Sequence, residues 1–335
     1  MTDRDRRAEE RDRRAVGAWL LVCAAFVFAI VVVGGVTRLT RSGLSIVEWQ
    51  PLVGAIPPLS DADWQALFAK YRETPEYKLV NFGMSLEGFK RIFWWEYAHR
   101  LLGRLVGVVF LLPFLYFLLK KKLEAPLAWK LFGVFLLGGV QGALGWYMVK
   151  SGLVDDPRVS HFRLTAHLGL ALAIFSAQLW LALDLLHAKE NPASRNLCWL
   201  PLLVFLMALS GGMVAGLRAG AAYQTFPLMN GHVVPPEILV LEPWWRNFAY
   251  NMATVQFVHR GFFWVLAVLV PIVWWRARGA AAHFLFGAFM LQAALGISTL
   301  LAGVPVSLAA AHQAGAVLVL ATALWTAHRH PRFAG

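Results

Sequence analysis

Long apolar runs separated by short polar segments dominate the chain. Eight charge-poor windows are each long enough for a membrane-crossing helix, which needs roughly 20 apolar residues. They cover residues 17–36, 98–119, 128–149, 164–186, 196–217, 250–275, 280–302 and 306–327. The last two come from one run, which we divide at Gly303, Val304 and Pro305 because turn residues end helices. The pattern predicts an all-α, polytopic membrane protein with eight transmembrane helices.

The same polar motifs recur in the same order in the two halves, which indicates an internal repeat. Gly34, Gly35, Arg41 and Gly43 correspond to Gly211, Gly212, Arg218 and Gly220; His99 and Arg100 to His259 and Arg260; Gln141 and Gly145 to Gln292 and Gly296; Ala166 and His167 to Ala311 and His312. Four spans per half is an even number, so both copies keep one orientation, as in parallel repeats. We predict two four-helix bundles, residues 17–187 and 196–328.

The polar segments outside the spans differ between the halves. In the long loop 37–97, residues 61–72 predict a surface helix with one apolar side, formed by Trp64, Leu67, Phe68 and Tyr71, that lies at the membrane interface. The loop 219–246 is shorter and its prolines argue against long helices. The Arg-rich residues 1–16 predict a disordered cytoplasmic tail, since no signal-peptide core is present, and residues 329–335 predict a second cytoplasmic tail.

Composition and charge narrow the function classes. With 59% hydrophobic residues and 15 tryptophans, the chain is too apolar for a soluble domain. The net charge of +12 does not indicate nucleic-acid binding, because the basic residues are spread over the ends of apolar segments. The cluster Lys120-Lys121-Lys122 favours cytoplasmic termini. Cys23 and Cys198, both in apolar segments, give no disulfide framework.

Four histidines occupy repeat-equivalent positions near the outer ends of alternate spans: His99 and His167 in the first half, His259 and His312 in the second. A single histidine in a membrane helix is often a hydrogen-bonded packing residue. Two imidazoles that face each other across a four-helix bundle are the arrangement that holds a haem iron from both sides. Zinc or copper is less favoured, because the second half offers no soft or carboxylate ligand beside its histidines.

Basic residues and glycines near the histidines suit the same ligand. The arginines near the outer helix ends are candidate contacts for haem propionates: Arg41, Arg100, Arg163, Arg218 and Arg260. The alternative is that they only reach the membrane interface. The pairs Gly34-Gly35 and Gly211-Gly212 would let a helix approach a planar ring, and ordinary helix packing is the alternative.

The two halves differ in their titratable residues. Glu96 corresponds to Gln256, and His161 and Arg163 correspond to Val306 and Leu308. A glutamate beside a bound ligand can accept protons, whereas glutamine only forms hydrogen bonds. This difference assigns chemistry to the first half and a permanent cofactor to the second. A salt bridge from Glu96 to Arg100 or Arg91 is the alternative.

These motifs resemble those of the haem A synthase family, also called haem O monooxygenases. The matching segments are residues 34–45, 96–100, 165–167, 258–260 and 311–313, and the resemblance runs from about residue 17 to 328. It implies an eight-helix oxidoreductase that converts the ring methyl of haem O to the formyl of haem A, in two successive oxidations with water entering, for cytochrome oxidase. It also implies haem b on His259 and His312, substrate haem between His99 and His167, and Glu96 as the catalytic carboxylate.

One departure from the family pattern narrows the resemblance. Some members carry a cysteine pair in the first outer loop, and residues 37–97 contain no cysteine. The chain therefore resembles the cysteine-free proteobacterial and mitochondrial branch, and we expect a bacterial inner membrane. Haem O synthase and an electron acceptor are expected partners beside haem O and lipid, and a homo-oligomer stays open.

Two other function classes stay open. A di-haem cytochrome that only conducts electrons would use all four histidines but gives no role to the difference between Glu96 and Gln256. A haem transporter needs a polar route to the inner side, and the inner halves of the predicted spans are almost free of polar residues. The haems extracted from the protein would discriminate the enzyme from the conduit.

Overall fold

The computed structural model describes residues 3–50, 53–153, 157, 159–187 and 197–329. Its helices are α1 Asp3–Leu39, α2 Asp61–Arg72, α3 Pro75–Leu79, α4 Leu86–Leu119, α5 Ala125–Gly152, α6 His161–Leu186, α7 Trp199–Leu217, α8 Asn247–Tyr250, α9 Met252–Ala277, α10 Ala280–Leu301 and α11 Val306–Arg329. Short 3₁₀ turns cover Val53–Ala55, Ala219–Ala221 and Trp244–Arg246. Within the described residues, eight helices (α1, α4, α5, α6, α7, α9, α10 and α11) are long and apolar enough to cross a membrane, which confirms the predicted all-α, multi-pass fold.

The break between the last two spans lies where the turn residues predicted it. Helix α10 ends at Leu301, and α11 begins at Val306. Gly303 and Val304 both adopt positive φ angles, 77° and 61°. A right-handed α-helix cannot continue through such angles, so the chain turns here. The Val304 amide donates to the carbonyl of Thr299, so the backbone of the turn is satisfied within the membrane protein.

The first helix is longer than its apolar window, and the prediction of a disordered tail over residues 1–16 is wrong for residues 3–16. These residues form the first turns of α1. Their Arg, Ala and Glu residues favour a helix, and ion pairs four residues apart, Asp3–Arg7 and Glu10–Arg14, add to it. At the other end of the chain, Arg329 ends α11, and the predicted tail beyond it lies outside the described residues.

The spans pack with the same partners in each half. Helix α1 contacts α4 and α6, and α7 contacts α9 and α11. Between the halves, α6 packs on α7 and α1 packs on α11. The shared core contains side chains of α1, α6, α7, α10 and α11 with almost no exposed surface: Leu20, Leu172, Leu200, Leu285 and Leu320. Close packing of this kind holds membrane helices together where water is absent.

The first outer loop forms a small domain on top of α4. Helix α2 has the predicted bounds, and Ser60 and Asp63 cap it reciprocally. Its side chains Trp64 and Tyr71 are buried against Phe89 and Phe93, so this part of the apolar face packs on α4, and a place at the membrane interface stays a prediction. The packing arises because α4 begins at Leu86, three turns before its apolar window, and supplies an aromatic partner.

Candidate functional site

The four histidines lie on alternate spans, α4, α6, α9 and α11. His167, His259 and His312 each occupy the second turn of their helix. All four imidazoles are partly exposed, although Nδ1 of His99, His167 and His312 is buried without a hydrogen-bond partner. His99 and His167 are close enough to influence each other electrostatically, and so are His259 and His312. The exposed part of three of these side chains therefore does not include Nδ1.

Each imidazole packs against a glycine of the preceding span. A methyl group placed on Gly34, Gly145 or Gly296 would lie 2.8, 2.9 or 2.7 Å from Cε1 of the facing histidine, and one on Gly211 would lie 3.2 Å away. The facing rings are, in the same order, His99, His167, His312 and His259. Contacts under 3.0 Å force a shift, so at Gly34, Gly145 and Gly296 only glycine leaves the ring where it is; at Gly211 the ring would have to give by a few tenths of an ångström.

The glycine pairs of the sequence thus divide between two tasks. Gly34 and Gly211 make room for imidazoles, whereas Gly35 faces the side chain of Gln313 and Gly212 faces Thr165. Gly35 and Gly212 therefore serve packing between helices of different halves. The contacts of Gly145 and Gly296 with histidines were not foreseen; the signal was their place in the repeated motif Gln-x-Ala-Leu-Gly, read as Gln141 to Gly145 in the first half.

A glutamine accompanies one histidine of each half. The amide of Gln141 donates to the carbonyl of His167 at 3.0 Å, and that of Gln292 donates to the carbonyl of His312 at 2.9 Å. The amide nitrogen of Gln141 also lies 3.4 Å from Nε2 of His167. The two glutamines tie α5 to α6 and α10 to α11 beside the rings, so they hold each histidine backbone in place.

Glu96 is buried, with 2% of its surface exposed, and both of its oxygens are engaged. Oε1 accepts from Nε and a terminal nitrogen of Arg100 at 3.0 and 2.6 Å. Oε2 accepts from the Ser45 hydroxyl at 2.7 Å and the Ile46 amide at 2.8 Å. Four donors match the lone pairs of a carboxylate, so the ion pair to Arg100 and the closure of the loop are its present tasks.

Gln256 and Arg260 make the corresponding contacts in the second half. The amide of Gln256 donates to the carbonyl of Tyr223 at 3.0 Å, and Arg260 donates to the same oxygen at 3.2 Å. Tyr223 corresponds in the repeat to Ile46, whose carbonyl accepts from Arg100 at 2.8 Å. In both halves, therefore, two side chains bind the backbone of the preceding outer loop at the corresponding residue: Glu96 and Arg100 on α4, and Gln256 and Arg260 on α9.

The five arginines predicted at the site do not behave alike. Arg100 also donates to the carbonyl of Glu48, and Arg260 to those of Pro227 and Leu228, so these two hold loops. Arg163 donates to the hydroxyl of Tyr147 and stacks on its ring. The hydrogen bonds of Arg100, Arg163 and Arg260 therefore go to other groups of the protein.

Arg41 and Arg218, the other two, are exposed and occupy left-handed backbone positions with φ of 54° and 55°, directly after the spans α1 and α7. The charge of Arg38 interacts with both, and its guanidinium donates to the carbonyl of Ala215 in the other half at 3.1 Å. These three form a cationic cluster at the junction of the halves. Arg38 was missed as a site residue, although it stands in the repeated segment that begins at Gly34.

A second buried acid lies in the outer loop near Glu96. Glu76, in α3, has 4% of its surface exposed, and its Oε2 has no hydrogen-bond partner. Burial, followed by the charge of Glu96, raises the pKa of Glu76 to about 8, while Arg41 opposes the shift. Sequence reasoning missed this residue because nothing in a polar loop marks which carboxyl becomes buried.

The donor set fits haem iron better than a bare metal ion. Among the described residues, no three histidine, cysteine, aspartate or glutamate side chains form a group that holds a metal. Structural zinc takes four such ligands. Each half instead offers two imidazoles, partly exposed and each packed on a glycine, and two axial imidazoles are a common ligation of haem.

Comparison with known proteins gives consistent matches along the chain. The family described as cytochrome oxidase assembly protein, COX15-CtaA, matches residues 17–324. The haem A synthase of Nitrosospira multiformis is 60% identical over 332 residues, which cover 94% of this chain and 93% of that protein. The haem A synthases of Nitrosomonas eutropha and Parvibaculum lavamentivorans are 52% and 48% identical, with coverage of 94% and 96% of this chain and 93% and 95% of theirs.

Proposed function

The chain belongs to the COX15-CtaA family of cytochrome oxidase assembly proteins, and we propose that it is a haem A synthase, an oxidoreductase that converts haem O to haem A for cytochrome oxidase. The observation that carries the proposal is the set of four partly exposed imidazoles on alternate spans, each packed against a glycine. Two such rings in each half would supply the two axial ligands of a haem iron. The protein is a multi-pass membrane protein.

We assign the two halves different haems. His259 and His312 would hold a resident haem b, which supplies a one-electron redox centre when it is bound. His99 and His167 would hold the substrate, haem O. The assignment is supported by the acidic residues, because Glu96 and Glu76 both lie in the first half, near its histidines or its outer loop, and Gln256 replaces the carboxylate in the second.

Glu96 is the proposed proton acceptor of the reaction. Conversion of a methyl to a formyl group takes two successive two-electron oxidations with water entering, so protons must leave near the substrate edge. The carboxylate accepts one only after Ser45 or Arg100 releases an oxygen, because four donors now occupy it. Movement of the outer loop, which carries Ser45, would therefore accompany proton transfer.

The propionates of the two haems are anionic, and the cationic cluster of Arg38, Arg41 and Arg218 lies at the outer junction of the halves. We propose this cluster as their binding region, with Arg163 as a further candidate and with Arg100 and Arg260 holding the loops around it. Guanidinium groups suit this task because they bind carboxylates with two parallel hydrogen bonds.

We place both termini in the cytoplasm, the histidines towards the outer face, and the protein in a bacterial inner membrane. The cluster Lys120–Lys122 between α4 and α5 supports this orientation through the excess of basic residues in cytoplasmic loops. Haem O is the proposed substrate partner, and haem O synthase and an electron acceptor are further partners that the reaction requires or suggests.

The haems extracted from the purified protein test the proposal. Chromatography is expected to show haem B together with haem O, its hydroxylated form or haem A. Haem B alone would favour a di-haem electron conduit, in which both haems are permanent. A protein that carries no haem after expression with ample haem supply would contradict both.

A further inference from the structure

His99 and His259 occupy equivalent positions, but only His259 has a hydrogen-bond partner on Nδ1. The Ser210 hydroxyl lies 2.7 Å from this nitrogen and 2.7 Å from the carbonyl of Met207, one turn earlier in α7. Nδ1 of His99 is buried and has no partner. The difference is confined to this pair of histidines, because Nδ1 of His167 and Nδ1 of His312 are both without a partner.

The direction of the hydrogen bonds at Ser210 follows from the chemistry of its partners. A carbonyl oxygen only accepts, so the hydroxyl hydrogen points to Met207. The hydroxyl oxygen then accepts from Nδ1–H of His259, which assigns this tautomer from the hydrogen-bond network. Nε2 of His259 consequently carries the lone pair. A partner on the far nitrogen fixes tautomer and ring orientation at metal sites, and its loss typically lowers metal affinity about 10–100-fold.

The first half lacks this device. Ser210 precedes Gly211 as Val33 precedes Gly34, and both glycines pack on the imidazole of the same half. A valine side chain cannot accept the Nδ1 hydrogen. The other imidazole of this half, His167, has the Gln141 amide 3.4 Å from its Nε2, a contact that an iron ligand must displace; Gln292 makes only the backbone contact to His312.

We propose that Ser210 is a positioning residue that locks His259 onto the iron of a resident haem, and that Val33 leaves His99 free to release its haem. Because of this one hydroxyl group, the second half keeps its haem bound, whereas the first half exchanges its haem. This inference rests on the proposed function, which needs one haem that stays and one that enters and leaves.

The test measures haem loss from the full-length, detergent-purified protein into an excess of apomyoglobin, which takes up released haem. Ser210→Val is expected to accelerate loss of haem B about tenfold or more, whereas Ser210→Thr keeps the hydroxyl and is expected to stay close to wild type. The hydrogen bond also makes the imidazole more basic and favours ferric iron. The reduction potential of the Ser210→Val haem should therefore rise, which a purely structural defect does not predict.

Val33→Ser is the reciprocal variant. Because Val33 precedes Gly34 as Ser210 precedes Gly211, the new hydroxyl is expected to reach Nδ1 of His99 and to slow release of haem O from the first half several-fold. Chromatography of the haem that remains bound follows the release. Equal loss rates and equal potentials for wild type and Ser210→Val, in protein that does hold haem B, would refute the positioning role alone. Absence of haem B from the wild-type protein would instead refute the proposed function. If Ser210→Val fails to fold, Val33→Ser decides: slower release of haem O supports the positioning role, and unchanged release refutes it.

Discussion

Near the beginnings of α4 and α9, a pair of side chains in each half forms a clamp on the preceding outer loop: Glu96 with Arg100, and Gln256 with Arg260. The two clamps bind corresponding residues, but Glu96 accepts a backbone hydrogen bond where Gln256 donates one. Glu96 accepts from the amide of Ile46, whereas Gln256 donates to the carbonyl of Tyr223, the corresponding residue. Arg100 and Arg260 donate to the carbonyls of those same two residues. The clamp therefore does not require a carboxylate, since Gln256 takes the place of Glu96 in the second half, so holding the loop does not by itself explain the acid in the first half.

Loss of a histidine is expected to have the largest effect on this comparison. His259→Ala or His312→Ala should abolish the bis-imidazole absorption and electron paramagnetic resonance signals of haem b, because one axial ligand is gone. His99→Ala should leave these signals largely intact and remove binding of haem O. If His99→Ala abolished the resident signal and His259→Ala spared it, the assignment of the halves would be reversed.

Glu96→Gln is the next largest change and makes the first clamp resemble the second. Positioned acid–base groups contribute about 10²–10⁴-fold, so haem A formation should fall by at least about a hundredfold. The resident haem b should stay, and chromatography should show haem O accumulating on the protein. Wild-type formation of haem A by this variant would remove Glu96 from proton transfer.

A control separates proton transfer from the holding of the loop. Ser45→Ala removes one donor from Glu96 but keeps the carboxylate. It should retain most activity if the carboxylate itself is needed. An equal loss in Ser45→Ala and Glu96→Gln would mean that closure of the loop, rather than the carboxyl group, limits the reaction.

Alanine substitution of the glycines that face the histidines is expected to have a smaller effect, restricted to one half at a time. Gly296→Ala places a methyl group 2.7 Å from the His312 ring, and Gly145→Ala places one 2.9 Å from the His167 ring. Overpacking of this kind costs about 1–3 kcal/mol. Gly296→Ala should lower the occupancy of haem B, and Gly145→Ala that of haem O, both measured by chromatography.

Gly142→Ala is the matched control on the same helix as Gly145. Nothing lies within 4 Å of the added methyl group, and Ala293 already occupies the corresponding position in the second half. Haem content should be unchanged. A loss equal to that of Gly145→Ala would show that α5 tolerates no alanine there for reasons unrelated to the imidazole.

The sequence was sufficient for features set by spacing and residue type, and insufficient for features set by a loop. The eight spans, the turn at Gly303 and the helix Asp61–Arg72 follow from local pattern, and the structure confirms them. The backbone acceptors of Arg100 were not predictable, because the carbonyls of Ile46 and Glu48 reach it only after the outer loop folds back. The contact between Ser210 and His259 was not predictable either, because it depends on how α7 and α9 are positioned along each other.

The smallest expected effect concerns the acids of the two outer loops, whose pKa values shift in opposite directions. Burial raises the pKa of Glu76 to about 8, whereas the Tyr223 hydroxyl, which donates at 2.6 Å, lowers the pKa of the exposed Glu237. Between about pH 4.5 and 8, Glu76 stays protonated in the folded loop and ionises when the loop opens. The unfolded loop then binds fewer protons, so its folded form loses stability as the pH rises.

Glu76→Gln removes this dependence, because the amide stays neutral. Hydrogen exchange of the amides in α3, corrected for the intrinsic rate, should therefore be slower in Glu76→Gln than in wild type at pH 8 and alike in both at pH 5. Glu237→Gln should show the reverse sign: its contribution is present above the unfolded pKa and lost as the pH falls, so the variant opens faster near neutral pH and matches wild type in acid. Equal exchange of wild type and Glu76→Gln at pH 8 would mean that Glu76 is ionised in the folded loop, with Arg41 as the partner whose charge outweighs burial.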